Sequence, residues 1–165
     1  MERKAVESHE VSAVAISLLA ELQLFFSRIE AKSSVILGVN TGMIWFLAAK
    51  LSRVKTWEFP MLMTILPIVL IAASLVKLYR CSFPQLDGGR ESLVSFKEIA
   101  KRTQDRFLVD FTKQTREELA LDLLGQVWQN SETLISKMNF LRSAYTLCAW
   151  AVLPWGLAMI VFVTR

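Results

Sequence analysis

Asn40 and Thr41 stand between Gly38 and Gly42 in a stretch, Val35 to Ala49, that is otherwise apolar. A carboxamide buried there without a partner costs about 1–3 kcal/mol. Asn40 must therefore meet water or another polar group. Two chemistries fit. A helix face carrying Ser33, Asn40 and Thr41, with Leu37 and Ile44 as apolar constrictions, could line a narrow hydrated path. The same residues could instead form a dry hydrogen-bonded contact between helices, where Gly38 and Gly42, a small-xxx-small pair, let backbones approach closely. A second group is cationic. Lys97, Lys101, Arg102 and Arg106 lie close in sequence to Phe96, Phe107 and Phe111, and Arg28 and Lys32 are one helical turn apart near the first apolar run. Cations beside aromatic rings recognise anions, so these six are the candidate ligand-binding residues. The alternative is a solvated basic face, or anchors for lipid phosphates.

Catalytic signatures are missing. There is no Gly-rich phosphate loop, HExxH or CxxC, and the single histidine, His9, cannot complete a nucleophilic set with residues so far along the chain. We expect neither an enzyme nor a metal site nor a cofactor. Cys81 and Cys148 read as reduced thiols rather than a disulfide framework.

These residues must be positioned by helices. Ser34–Leu51, Phe59–Leu78 and Ala144–Val163 each approach the roughly 20 residues that cross a hydrocarbon core. A hydrophobic content of 53% and a mean hydropathy of +0.40 fit a chain that is part membrane bundle and part soluble. Net charge is +4, matching the Lys/Arg excess beside membrane ends or an anionic ligand. No signal peptide is expected, because Glu21 interrupts the apolar run after Val11.

The predicted fold is all-α, with three transmembrane helices whose long helices extend into a cytoplasmic helical domain. Residues 1–32 are expected to form a cytoplasmic amphipathic helix, 33–79 the first two spans, 80–142 the cytoplasmic helical domain, and 143–165 the third span. Val11, Val14, Leu18, Leu22, Phe25 and Ile29 recur every three or four residues, widened by Ala15, Leu19 and Phe26. With no Gly or Pro before Gly38, this helix should run on into the first span. A helix lying flat on the membrane is the alternative, opposed by its acidic polar face. Pro67 should kink the second span, and residues 82–89 read as a turn. In the soluble stretch, Leu93, Phe96, Ile99 and Ala100 form one apolar edge and Phe107, Leu108 and Phe111 another. Thr115 and Glu118 have capping-box spacing. Leu119, Leu123, Val127, Asn130, Leu134, Met138 and Leu141 then form a seam, so one helix should rise from about residue 116 into the third span. Asn130 either fixes register on that seam or faces solvent. The N-terminal segment and residues 80–142 carry most of the Lys and Arg, which predicts both to be cytoplasmic and the C-terminus outside.

The segment Arg28-Ile29-Glu30-Ala31-Lys32-Ser33-Ser34, leading to Leu37-Gly38-Val39-Asn40-Thr41-Gly42, resembles the junction of the Pycsar transmembrane effectors of bacterial anti-phage defence. Glu30 and Lys32 match its acid-x-Lys pattern, although Ser33 replaces the usual alanine. The run Phe96-Lys97-Glu98-Ile99, the run Asp122 to Val127, and Lys137 before Leu141-Arg142 also look like that family. The resemblance implies an inner-membrane effector that permeabilises the membrane in abortive infection, without fixing whether the ligand opens or closes the pore. Its partners would be the lipid bilayer, further copies of itself, as a tetramer, and a cyclic or linear nucleotide second messenger from a cognate cyclase or nucleotidyltransferase. A pore is one reading. A membrane scaffold whose cytoplasmic helices recruit a soluble partner is the other.

Overall fold

A computed structural model describes the backbone of residues 2–51, 59–83 and 92–163, and side chains from residues 9, 63 and 92 onward in these stretches. The predicted connection at 52–58 and most of the predicted turn at 82–89 lie outside them. Five helices follow one another: α1 Glu2–Leu51, α2 Phe59–Ser82, α3 Phe96–Ala100, α4 Gln104–Lys113 and α5 Arg116–Val163. The described residues contain no strand. Thus α1 and α5 are the uninterrupted helices that the lack of early Gly and Pro breaks predicts. Pro60 sits in the first turn of α2, where a missing N–H costs no helical bond. Pro67 lies inside α2, which continues through it to Ser82. Three helices are long and apolar enough to cross a membrane.

The chain forms two compact units, residues 1–27 with 84–135, and residues 28–83 with 136–165. In the second unit, parts of α1, α2 and α5 pack as three helices. Ile36, Leu78, Ala144 and Cys148 form one core cluster, and Met43, Leu47, Ile71 and Ala151 another. The small Ala144 and Ala151 side chains let α5 approach its neighbours closely. In the first unit the buried residues include Ala15, Leu93, Ala120 and Leu123.

The packed faces share one period. On α1 the buried or half-buried positions are Ser12, Ala15, Leu19, Leu22, Phe26, Ile29, Ser33, Ile36, Asn40, Met43 and Leu47. On α2 they include Thr64, Pro67, Ile71, Ser74, Leu78 and Cys81, and on α5 Ala120, Leu123, Val127, Asn130, Leu134, Lys137, Leu141, Ala144, Cys148, Ala151 and Ala158. Steps of three and four alternate, which is the seven-residue repeat of knobs-into-holes packing.

Three sequence expectations change. Val11, Val14, Leu18 and Phe25 are exposed on α1, and the packed stripe lies one position further round, because α1 carries two adjacent apolar stripes and periodicity does not say which packs inward. On α5 the seam takes Lys137, 8% exposed, and leaves Met138 out at 52%. Near residue 96 the expected apolar edge divides: Leu93 is buried ahead of α3, whereas Phe96, its first residue, is 83% exposed.

Candidate functional site

The repeat decides where the polar residues of the spans go. Asn40 falls on the inward face of α1 and is fully buried. Its Nδ2 donates to Ser74 Oγ of α2 at 2.9 Å, and Ser74 Oγ donates to the Ala144 carbonyl of α5 at 2.9 Å. One hydrogen-bonded chain thus joins three helices, while Asn40 Oδ1 is buried with no partner. Two turns earlier on α1, Ser33 Oγ lies 3.5 Å from Cys81 Sγ, which is 3.4 Å from the Lys137 carbonyl. Further along, the Trp155 indole N–H donates to the Met43 carbonyl at 3.2 Å.

Leu37, Thr41 and Ile44 are exposed on α1, Leu37 and Ile44 flanking the packed stripe and Thr41 about 100° round from Asn40. Thr41 Oγ1 donates to the Leu37 carbonyl at 2.8 Å, which satisfies the hydroxyl within its own helix. The five residues read from sequence as one path therefore divide: Ser33 and Asn40 are buried against neighbouring helices, and Leu37, Thr41 and Ile44 are exposed. Gly38 and Gly42 also face open space, because a Cβ built on either meets nothing within 4 Å.

The six candidate cations divide as well. Arg28 and Lys32 belong to the unit that contains the spans and are exposed. Lys97, Lys101, Arg102 and Arg106 belong to the other unit. There Lys101 pairs with Glu98 one turn earlier. Arg102 Nε and Arg106 Nε each lie 4.0 Å from Asp110 Oδ2. Glu98 and Asp110 thus pair with three of these cations. Arg106 is the most open of the ion-paired cations, its side chain 78% exposed. Phe107 and Phe111 stack one turn apart, centroids 5.6 Å from each other.

Residues to which the sequence assigned no contact hold this arrangement. Ser92 Oγ accepts from the Val94 and Ser95 backbone N–H groups and from Gln126 Nε2, at 3.1, 3.0 and 3.2 Å. Asp122 Oδ2 accepts from the Leu93 N–H at 2.8 Å. Arg102 reaches back to the Ser92 carbonyl at 3.5 Å. Asp122 and Gln126 are one turn apart on α5, so one helix face fixes the segment that leads into α3. The available signal was the i, i+4 spacing of two side chains able to bond backbone groups. At the start of α5, Thr115 and Glu118 form the predicted reciprocal cap: the Thr115 N–H donates to Glu118 Oε2 at 2.8 Å, and the Glu118 N–H donates to Thr115 Oγ1 at 3.2 Å. The Thr115 backbone N–H, then its hydroxyl, hold the Glu118 carboxyl below the ordinary glutamate value.

The model of the Pycsar effector protein domain matches residues 14–164. The chain belongs to that family. A Pycsar effector is a membrane effector of anti-phage defence, and the three membrane-length helices of this one accord with that role. The family is one of effectors rather than of catalysts. No curated protein and no solved structure matches the chain. The matched region takes in both units of this Pycsar effector, from the exposed stripe of α1 to the end of α5. Asp122, Gln126 and Lys137, which carry part of the resemblance, have structural places in it: the first two pin residues 92–95, and the third lies on the packed seam.

Proposed function

We propose that this Pycsar effector is a homo-oligomeric pore of the bacterial inner membrane, controlled by a nucleotide second messenger from a cognate cyclase, and that it disrupts that membrane during infection. The observation that carries the reading is a second apolar stripe on α5. Leu121, Leu124, Trp128 and Ile135 are exposed at steps of three, four and seven, a heptad spacing beside the packed seam with Ser131 at the position between the last two. A helix that packs one heptad stripe inside its protomer and presents another outside is matched by further copies of the same helix. Exposed Val11, Val14, Leu18 and Phe25 repeat this on α1.

In a tetramer, the outward face of α1 turns towards the axis. Thr41 and Ile44 then line the path, with Gly38 and Gly42 allowing close approach. Ser33 and Asn40 keep each protomer's three helices in register. The messenger, a cyclic or linear nucleotide, binds the group Lys97, Lys101, Arg102 and Arg106. Arg28 and Lys32 supply cations beside the membrane.

The test is ion flux from liposomes holding the full chain, with and without cyclic CMP, cyclic UMP and a panel of cyclic oligonucleotides. One nucleotide is expected to change the flux at least tenfold, and Arg106→Glu to remove that response. Flux that no nucleotide alters would overturn the control. Liposomes that stay sealed in every condition would overturn the pore.

A further inference from the structure

Within the unit that contains the spans, a half-open groove of about 390 Å³ runs between α1 and α2. That lies in the range of small-ligand clefts, about 300–1,000 Å³. Its lining changes along its length. Glu30, Ser33, Ser34, Tyr79 and Ser82 make one end polar, and Leu37, Leu75 and Leu78 make the other apolar. The change coincides with the edge of the apolar sequence, since the first span begins at Ser34 and the second ends at Leu78. The polar end therefore lies at headgroup depth and the apolar end beside acyl chains.

Among the described residues, Glu30 is the only charged one that lines the groove. It is exposed, and it has no ion pair among the described residues. A lone carboxylate repels an anionic headgroup and favours a cation. Ser34 Oγ already donates to the Glu30 carbonyl at 3.0 Å. Tyr79 and Ser82 keep hydroxyls that can donate to a phosphodiester.

We infer that this groove binds a membrane phospholipid whose headgroup ends in a primary ammonium. The ammonium sits on the Glu30 carboxylate, the phosphate takes hydrogen bonds from Tyr79 and Ser82, and an acyl chain lies along Leu37, Leu75 and Leu78. A primary ammonium brings three N–H donors. A trimethylated ammonium brings charge without donors, and a glycerol headgroup brings net negative charge against Glu30. The inference rests on α1 and α2 spanning the membrane and is independent of nucleotide control.

The experiment is native mass spectrometry of the full chain in detergent, titrated with phosphatidylethanolamine, phosphatidylcholine or phosphatidylglycerol. Retention is expected in that order. Glu30→Gln should reduce phosphatidylethanolamine retention about fivefold, the contribution of a partly exposed ion pair, with an unchanged circular dichroism spectrum. Ser34→Trp, which fills the groove, should reduce retention of all three lipids. Equal retention of phosphatidylethanolamine and phosphatidylcholine would overturn the hydrogen-bonded ammonium. Equal retention by wild type and Glu30→Gln would overturn the assignment of Glu30, and full retention by Ser34→Trp the groove itself.

Discussion

Asn40 shows how one side chain takes its role from its partner. Sequence alone leaves an amide in an apolar helix free to meet water or a helix. The inward position beside Ser74 makes it a clamp across α1, α2 and α5. Ser74→Ala should cost about 1–2 kcal/mol, because it leaves the buried Asn40 amide unpaired. Asn40→Leu should cost less, within about 1 kcal/mol, since it also removes the unpaired Oδ1. In Asn40→Leu, Ser74→Ala should cost less, because only its bond to the Ala144 carbonyl remains to be lost. Thermal unfolding of the four proteins in detergent gives the coupling, and additive losses would contradict the clamp. Glu118 gives a pH prediction. Its folded pKa is lowered, so its contribution is fully present above the unfolded value and is lost as pH falls through the folded one. Thr115→Ala should therefore speed amide exchange in the first turn of α5 at neutral pH. The difference from wild type should shrink once Glu118 is protonated. An undiminished difference in acid would assign the effect to the threonine alone.

At the scale of elements, the sequence was legible where local chemistry acts alone and ambiguous where rotation matters. The lengths of α1 and α5 followed from the absence of early breakers, and the start of α5 from the Thr115–Glu118 pair. Which stripe of α1 packs inward did not follow, because Val11-Val14-Leu18 and Ala15-Leu19-Leu22 are both apolar and differ by one residue in rotation. A charge at 137 likewise hid a seam position that the seven-residue repeat assigns to it. Asn40 and Thr41 are adjacent in sequence, yet about 100° apart on a helix, so one joins the protomer's interior and the other its surface. That surface yields a sharp prediction. A Cβ built at Gly38 or Gly42 meets nothing within 4 Å, so with Gly38→Ile and Gly42→Ile the single chain should keep its helicity and thermal stability. If copies meet through this face, mass in detergent should fall towards that of one chain. An unchanged assembly with both isoleucines in place would move the contact to another face of α1.

For the whole molecule, three crossings fix a parity. The described helices long enough to cross number three; if all three cross, the segment before the first crossing and the segment between the second and third lie on one side, and the end of the chain on the other. Charge chooses the side. Arg3, Lys4, Arg28 and Lys32 precede the first crossing, and Lys77, Arg80, Lys137 and Arg142 flank the inserted stretch near the membrane. The connection between the first two crossings carries Lys50, Arg53 and Lys55, and the end of the chain Arg165. Each cation translocated against the membrane potential is opposed by about 2.3 kcal/mol per 100 mV, so the richer side is expected in the cytoplasm. Reporter fusions after Glu118 and after Arg165 should therefore give opposite signals, the first cytoplasmic and the second periplasmic. Both reporters on one side would mean that α5, the one candidate span between the two fusion points, does not cross, and would overturn the third crossing. The reverse pair of signals would keep the three crossings and put the basic group of α3 and α4 outside the cell, beyond reach of an intracellular nucleotide.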